Sequence, residues 1–267
     1  MHHCRLREGQ VGRCRARKNE NGKIVSINYG QLTSIALDPI EKKPLARFCP
    51  GSMILSVGSF GCNLDCPFCQ NASIAAACQN EVEAEIMQPG ELAALAEELK
   101  PRGNIGVAFT YNEPMVGFEF VRDTAKLVHG HGMKNVVVTN GSVCEETLQE
   151  VLPYIDAWNI DLKGFTEAYY KKLGGELHTV QEFIRIAAKH AHVEIATLIV
   201  PGENDSPDEM HALSYWIAGV DRSIPLHITR FFPRRKMKDK APTDVSLMRS
   251  LSRIAKENLD TVLLGNI

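Results

Sequence analysis

The run Met53-Ile54-Leu55-Ser56-Val57-Gly58-Ser59-Phe60 passes directly into Gly61-Cys62-Asn63-Leu64-Asp65-Cys66-Pro67-Phe68-Cys69-Gln70-Asn71, joining a short apolar stretch to a loop with three cysteines. The apolar stretch is too short for a core helix, is bounded by glycine, and reads as a buried strand. The cysteines follow the spacing C-x3-C-x2-C. Thiolates this close together suit soft metals, either zinc or an iron–sulfur cluster. A structural zinc site wants four ligands, commonly as two separated pairs, and this loop does not supply them. Three thiolates can instead hold three irons of a [4Fe–4S] cube and leave the fourth iron open to a chelating small molecule.

Outward from this loop, the pattern predicts further strands over 106–111, 135–139, 157–161, 192–200 and 226–231. Amphipathic, helix-like stretches fall between them at 90–100, 116–131, 144–152, 167–173 with 179–190, and 207–219. A last helix at 246–258 and a short run at 261–264 close the chain. Such alternation argues for parallel βα units, arranged as an open doubly wound sheet or as a complete or partial barrel. In either arrangement chemistry gathers at the carboxyl ends of the strands, where Cys62, Glu113, Asn140, Lys163 and Pro201-Gly202 fall. Upstream, 23–29 and 32–37 read as a hairpin turning at Gly30-Gln31. The expected organisation is an N-terminal extension over 1–52, holding that hairpin with Cys4 and Cys14, and an α/β unit over 53–267.

With 44% apolar and 23% charged residues in a chain of 267, the composition excludes a disordered polymer, and no staples are needed to build a core. No apolar run approaches the roughly 18 residues of a membrane span, and the first residues do not form a signal peptide, so a cytoplasmic protein is expected. Thirty Lys and Arg against 32 Asp and Glu give a charge of −2, which makes nucleic acid an unexpected partner for the chain as a whole. Local excesses stand out at 1–24 and at 230–240. Either could meet an anion or be a solvated basic face. Eight cysteines are too few for a secreted disulfide scaffold of this length. Cys49, Cys78 and Cys144 read as structural.

The cysteine spacing is the hallmark of the radical S-adenosylmethionine (SAM) superfamily, which the chain resembles over most of 53–232. The resemblance implies a partial (β/α)6 barrel and a [4Fe–4S] cluster on Cys62, Cys66 and Cys69. It also implies a SAM molecule cleaved to a 5′-deoxyadenosyl radical, and a one-electron donor such as flavodoxin or ferredoxin. Further positions resemble the SAM contacts of glycyl-radical-enzyme activases such as pyruvate formate-lyase activating enzyme. Phe68 stands where a ring covers the adenine, although a core aromatic would look the same. Asn71 stands at a SAM-contacting asparagine, or is a turn or helix cap. Tyr111-Asn112-Glu113 occupies the place of the superfamily's Gly-Gly-Glu motif, without its two glycines. Thr139-Asn140 and Asp161-Leu162-Lys163 match two more activase motifs; Asp161 and Lys163 alone could be a surface ion pair. Pro201 fits an adenine-contacting loop, and His227 and Arg230 point to a carboxylate of substrate or SAM, with a core histidine as the other reading of His227. Val138 stands where the activase has an acidic residue, so that enzyme's cation site is not expected.

The segments Asp38-Pro39-Ile40-Glu41-Lys42-Lys43-Pro44 and Thr110-Tyr111-Asn112-Glu113-Pro114 resemble more narrowly the radical SAM component of the AmmeMemoRadiSam system. That family occurs with Memo-like and AMMECR-like proteins, which become expected partners, and it favours a small-molecule substrate over a glycyl radical enzyme. The chain departs from it in lacking the family's first C-x2-C pair and its C-terminal one. Cys4 and Cys14, with His2 or His3, are either a remnant metal lobe or free thiols. Arg235, where the activase has histidine, suggests a cationic mouth for a small carboxylate or phosphate. The rival class is a non-enzymatic metal module that binds nucleic acid.

Overall fold

The protein is described by a computed structural model covering residues 2–267. Runs rich in valine, isoleucine and leucine become strands because branched side chains fill a pleated surface buried on both faces. The strands are β1 (Arg17–Glu20), β2 (Lys23–Ser26), β3 (Gln31–Leu32), β4 (Ser34–Pro39), β5 (Met53–Gly58), β6 (Glu85–Ile86), β7 (Asn104–Phe109), β8 (Lys134–Thr139), β9 (Ala157–Asp161), β10 (His192–Ile199), β11 (Leu226–Arg230) and β12 (Val262–Gly265). The helices are α1 (Ala72–Ala75), α2 (Pro89–Glu98), α3 (Phe118–Gly130), α4 (Glu145–Val151), α5 (Glu167–Leu173), α6 (Leu177–Ala187), α7 (Pro207–Asp221) and α8 (Val245–Ala255). Their starts are chemically marked. Ser206, Thr166 and Asp244 accept backbone N–H groups at the first turns of α7, α5 and α8.

One sheet of eight strands runs in the order β4-β5-β7-β8-β9-β10-β11-β12. All neighbours are parallel except β4, which is antiparallel to β5. From β5 onward the order never reverses, unlike a doubly wound sheet, which turns back at a switch point. The six expected strands are all present. β4 and β12 extend the sheet at its two edges.

The N-terminal hairpin differs from the expected one. Lys23–Ser26 pairs backwards with Arg17–Glu20, not forwards with 32–37. The reason is local: Asn21 and Gly22 both adopt positive φ, the two-residue turn that a hairpin favours most. The 32–37 stretch instead supplies β4, whose register against β5 runs from Ser34 opposite Gly58 to Pro39 opposite Met53. The extension therefore continues the main sheet across the 52/53 boundary.

Alternation along the strands gives the sheet two different faces. Leu55, Val57, Val107, Phe109, Val137, Trp158, Ile160, Ile195, Leu226 and Ile228 pack against the helices in one core. The opposite face carries Ser56, Asn159, Glu194 and His227, all buried. The segment 40–48 covers the amino-terminal end of that face: Ile40 and Leu45 pack on Ile54, Ala108, Val136 and Ala157. Its backbone is satisfied by side chains of the sheet. Glu194 accepts the N–H groups of Ala46 (2.9 Å) and Arg47 (2.7 Å), and Asn159 donates to Pro44 O (2.9 Å). This plug closes one end of the face and leaves chemistry to the other.

Candidate functional site

The cysteine loop leaves β5 at the carboxyl edge of the sheet. Gly61 turns it with φ +89°, and a side chain there would meet Cys14 O at 2.5 Å, so only glycine fits beneath the N-terminal segment. The loop is tied from both sides. Cys62 N–H donates to Cys14 O (3.1 Å) and Asp65 N–H to Leu173 O (2.9 Å), while Lys236 N–H donates to Pro67 O (2.9 Å). The Arg235 guanidinium donates to Cys66 O (2.8 Å). Cys66 and Phe68 are buried among Leu64, Tyr169, Leu173, Val200 and Phe231, with Cys62 and Cys69 at the margin.

None of the eight cysteines is in a disulfide. Burial pushes the Cys62 thiol up, and the Cys66 thiol up to about 11, so thiolates in this apolar bed need a positive partner. Two N–H groups already face Cys62 Sγ, Leu64 N at 3.4 Å and Asn140 Nδ2 at 3.7 Å. The Tyr169 hydroxyl is buried in the same apolar cluster and has no partner. Among the described residues no three His, Cys, Asp or Glu side chains converge on a single ion. A cube does not ask for that, because each thiolate meets a different iron. Three closely spaced cysteines with N–H donors at one sulfur therefore fit an iron–sulfur cluster.

The ends of β7 and β8 meet at Glu113. Its buried carboxylate accepts from Thr139 Oγ1 (2.7 Å), Asn140 N (2.7 Å) and Met115 N (3.0 Å). Burial pushes it up to about 7 even with these donors. Glu113 thus braces two strand ends besides facing the site. Asn112 is also a brace: its amide accepts from Ser59 N and donates to Phe60 O and Gly61 O, fixing the entry to the cysteine loop. Asn140 links the strand end to the loop by donating to Asn63 Oδ1 (2.9 Å) as well as facing Cys62. Asn71 donates to Tyr111 O (2.8 Å). The remaining polar pair lies after β9, where Lys163 Nζ meets Asp161 Oδ2 at 2.6 Å. Burial opposes the Lys163 charge, but Asp161 and the sulfurs of Cys66 and Cys69 outweigh it and hold the ammonium firmly protonated.

Three expected site residues lie further out. Pro201 and Arg230 flank Val200 and Phe231, which pack in the Phe68 cluster; Pro201 O accepts from Lys240, and Arg230 donates to Thr243 O (2.7 Å). His227 is buried and bonded to Glu194 (2.6 Å), next to the plug rather than the loop. Arg235 and Lys236 do not form an open cationic mouth: both are ion-paired with Asp65, at 2.6 and 3.0 Å. An acid within the cysteine loop captured them.

One network was visible only as two separate motifs. Tyr111, at φ +71°, donates its hydroxyl to Asp38 Oδ2 (2.7 Å), and Lys43 pairs with the same carboxylate (2.9 Å) while its ammonium lies 4.7 Å from the Tyr111 ring centre. Burial and Asp38 together push the Tyr111 hydroxyl up to about 12, keeping it a donor. The Asp38–Pro44 and Thr110–Pro114 segments, which carry the narrower resemblance, therefore touch in space.

A mostly parallel sheet with a three-cysteine loop at its carboxyl edge defines an α/β protein whose loop fits a soft-metal cluster. The Radical SAM superfamily profile matches residues 56–213, and the chain belongs to that superfamily. Membership implies a [4Fe–4S] cluster and SAM. Among similar proteins, the uncharacterized protein MJ0808 of Methanocaldococcus jannaschii is 38% identical over 269 residues, covering 99% of this chain and 79% of its own length. Pyruvate formate-lyase 1-activating enzyme of Escherichia coli (strain K12) is 28% identical over 158 residues, covering 57% of this chain and 63% of that enzyme. The Streptococcus suis SuiB structure bound to S-adenosylmethionine superposes with a TM-score of 0.62 at 14% identity, over 80% of this chain and 52% of that one. At that identity the likeness speaks for the fold alone. No helix among the described residues is long and apolar enough to cross a membrane.

Proposed function

We propose that this protein is a radical SAM enzyme, built on a partial (β/α)6 barrel, that holds a [4Fe–4S] cluster on Cys62, Cys66 and Cys69. When bound, the cluster supplies the electron that cleaves SAM to methionine and a 5′-deoxyadenosyl radical. The chain's part is to bind, orient and exclude water. Phe68, within the loop and buried in its apolar cluster, would meet the adenine with its ring edge. Lys163, kept charged by Asp161, suits the SAM carboxylate, and Asp161 suits the ribose. Glu113 retains acceptor capacity for the SAM ammonium beside the Tyr111 carbonyl, which Asn71 fixes. Asn112, Thr139 and Asn140 hold those groups in register. Pro201 and Arg230 form the outer wall, while His227, bonded to Glu194 beside the plug, lies outside the site.

The single observation that carries this reading is the convergence of Asn140 and the charged Lys163–Asp161 pair on a buried three-cysteine loop. Its test is anaerobic reconstitution followed by iron and sulfide analysis and chromatography of SAM-derived products. We expect three to four irons per chain, 5′-deoxyadenosine after reduction, and loss of both in Cys66→Ala. Full SAM cleavage in Cys66→Ala, or stoichiometric zinc without iron, overturns the reading, the latter in favour of a metal module.

The substrate we infer is a small molecule handled in a cytoplasmic AmmeMemoRadiSam system beside Memo-like and AMMECR-like proteins. What supports it is the contact between the Asp38–Pro44 and Thr110–Pro114 segments. A second reading, an activating enzyme for a glycyl radical enzyme, is favoured by the similarity to the Escherichia coli activase.

A further inference from the structure

Between the plug and the cysteine loop, the inner face of the sheet carries a row of three register partners. Asp161 on β9 lies opposite Ala196 on β10, and Ala196 lies opposite His227 on β11. All three belong to the inner face, because their neighbours Ile160, Ile195, Leu226 and Ile228 pack against the helices. Two strand spacings put Asp161 and His227 about 10 Å apart, with only the Ala196 methyl group between them. The row below belongs to the plug, through Asn159 and Glu194. Above it, Leu198, Val200 and Phe231 join the Phe68 cluster. The level between is open: Val138, Asp161, Leu198 and Thr229 are only half-buried, although β8 to β11 are all interior strands of the sheet.

Two acceptors on this face are left over. Pro44 O can only accept, so the Asn159 amide turns its nitrogen toward it (2.9 Å); the amide oxygen is buried and has no partner among the described residues. Glu194 receives the N–H groups of Ala46 and Arg47 and is bonded to His192 and His227, and these donors hold it ionised. A carboxylate can only accept, so His227 carries its proton on Nε2, 2.6 Å from Glu194, and its Nδ1 lone pair is left for a ligand. The charges nearby are already matched, Asp161 with Lys163 and Asp38 with Lys43. What the inner face lacks is neutral donors.

We propose that the gap over Ala196 seats a small polyhydroxylated substrate, whose hydroxyl groups donate hydrogen bonds to His227 Nδ1 and Asn159 Oδ1. This rests on the proposed function and names the class of its small molecule. The seat adjoins Asp161, the residue suited to the SAM ribose, so a bound polyol presents its C–H bonds beside the nucleoside. A carboxylate or phosphate in the same place would set lone pairs against lone pairs. The preference is thus the reverse of the one that the basic segment after β11 suggests.

The test is anaerobic calorimetric titration of the reconstituted holoenzyme, saturated with SAM, with three four-carbon probes: meso-erythritol, succinate and putrescine. We expect erythritol to bind and the other two to leave its binding unaffected. His227→Leu removes the acceptor and should weaken erythritol up to about tenfold, whereas His227→Gln supplies another acceptor and should recover most of the affinity. Ala196→Val narrows the gap without touching a polar group and should abolish the binding. If His227→Leu fails to fold, the other two variants carry the test. Succinate or putrescine binding in place of erythritol, erythritol binding that ignores all the variants, or no binding of erythritol at all overturns the seat while leaving the cluster reading intact. If no iron is retained on reconstitution, the proposed function fails instead, and the same titration without SAM still judges the seat.

Discussion

At the scale of single residues, the three cysteines were legible because their chemistry demands a spacing that no packing rule would produce. Asn140 was legible only as a strand-end polar residue. Its bond to Asn63 spans 77 positions and exists only once β8 lies beside the loop. With the proposed cluster bound, its N–H toward Cys62 Sγ would make it a tuning group, since hydrogen bonds to cluster sulfurs ease reduction. In Asn140→Ala the cluster iron should remain and the midpoint potential, read by redox titration with paramagnetic resonance, should fall; an unchanged potential removes Asn140 from that role. Lys163→Ala should weaken SAM affinity by about one to two decades, from the roughly 1.5–3 kcal/mol of a charge-assisted bond. Anaerobic titration with unaltered cluster content checks this, and unchanged affinity excludes Lys163 from the SAM site.

At the scale of elements, the six predicted strands were right because their branched, apolar runs have no other stable use. The hairpin was misplaced because alternation shows that a strand exists without showing its partner. Asn21-Gly22 was the overlooked signal. The plug over 40–48 rests on Glu194, whose burial opposes ionisation, but donors from His192, His227 and the backbone of Ala46 and Arg47 hold it down at about 2. A carboxylate depressed below its ordinary 4.5 stabilises the fold above that pH and loses its contribution as pH falls toward 2. That window is worth about 3 kcal/mol. Thermal melts should therefore show Glu194→Gln less stable than the wild type at neutral pH, with the difference shrinking below pH 4.5. A gap that stays constant across that range refutes the coupling. The segment after β11 acts as a clamp, and its hold depends on Asp65. Asp65→Asn should speed the loss of iron to a chelator, measured by the fading of cluster absorbance, whereas an unchanged rate assigns the clamp no part in retention.

At the scale of the whole molecule, parallel architecture and the carboxyl-edge site followed from strand–helix alternation. The seat of the N-terminal extension did not, because its partners Asn63, Glu119, Asn159 and Glu194 are spread over the chain. The two candidate substrates place different demands on the molecule: an activase must admit a peptide loop of a large protein, whereas a small-molecule enzyme need not. Incubating reduced protein and SAM with a glycyl radical enzyme from the same cell, and recording the paramagnetic resonance spectrum, separates them. We expect no stable glycyl doublet, and its appearance would make the activase reading correct. Turnover with the Memo-like and AMMECR-like proteins present should instead yield a SAM-dependent product by mass analysis.

The bonds from Ala46 and Arg47 to Glu194 cross 148 and 147 positions of chain. On a ribosome adding roughly 5–20 residues per second, that separation is a delay on the order of ten seconds. For most of it, Ile40 and Leu45 are already synthesised while β9, whose Ala157 completes their apolar cover, is still to be made. An early apolar tract thus waits for its cover until β9 is made and for its last backbone partners until β10, and the nascent chain carries a sticky segment near its leading end in the meantime.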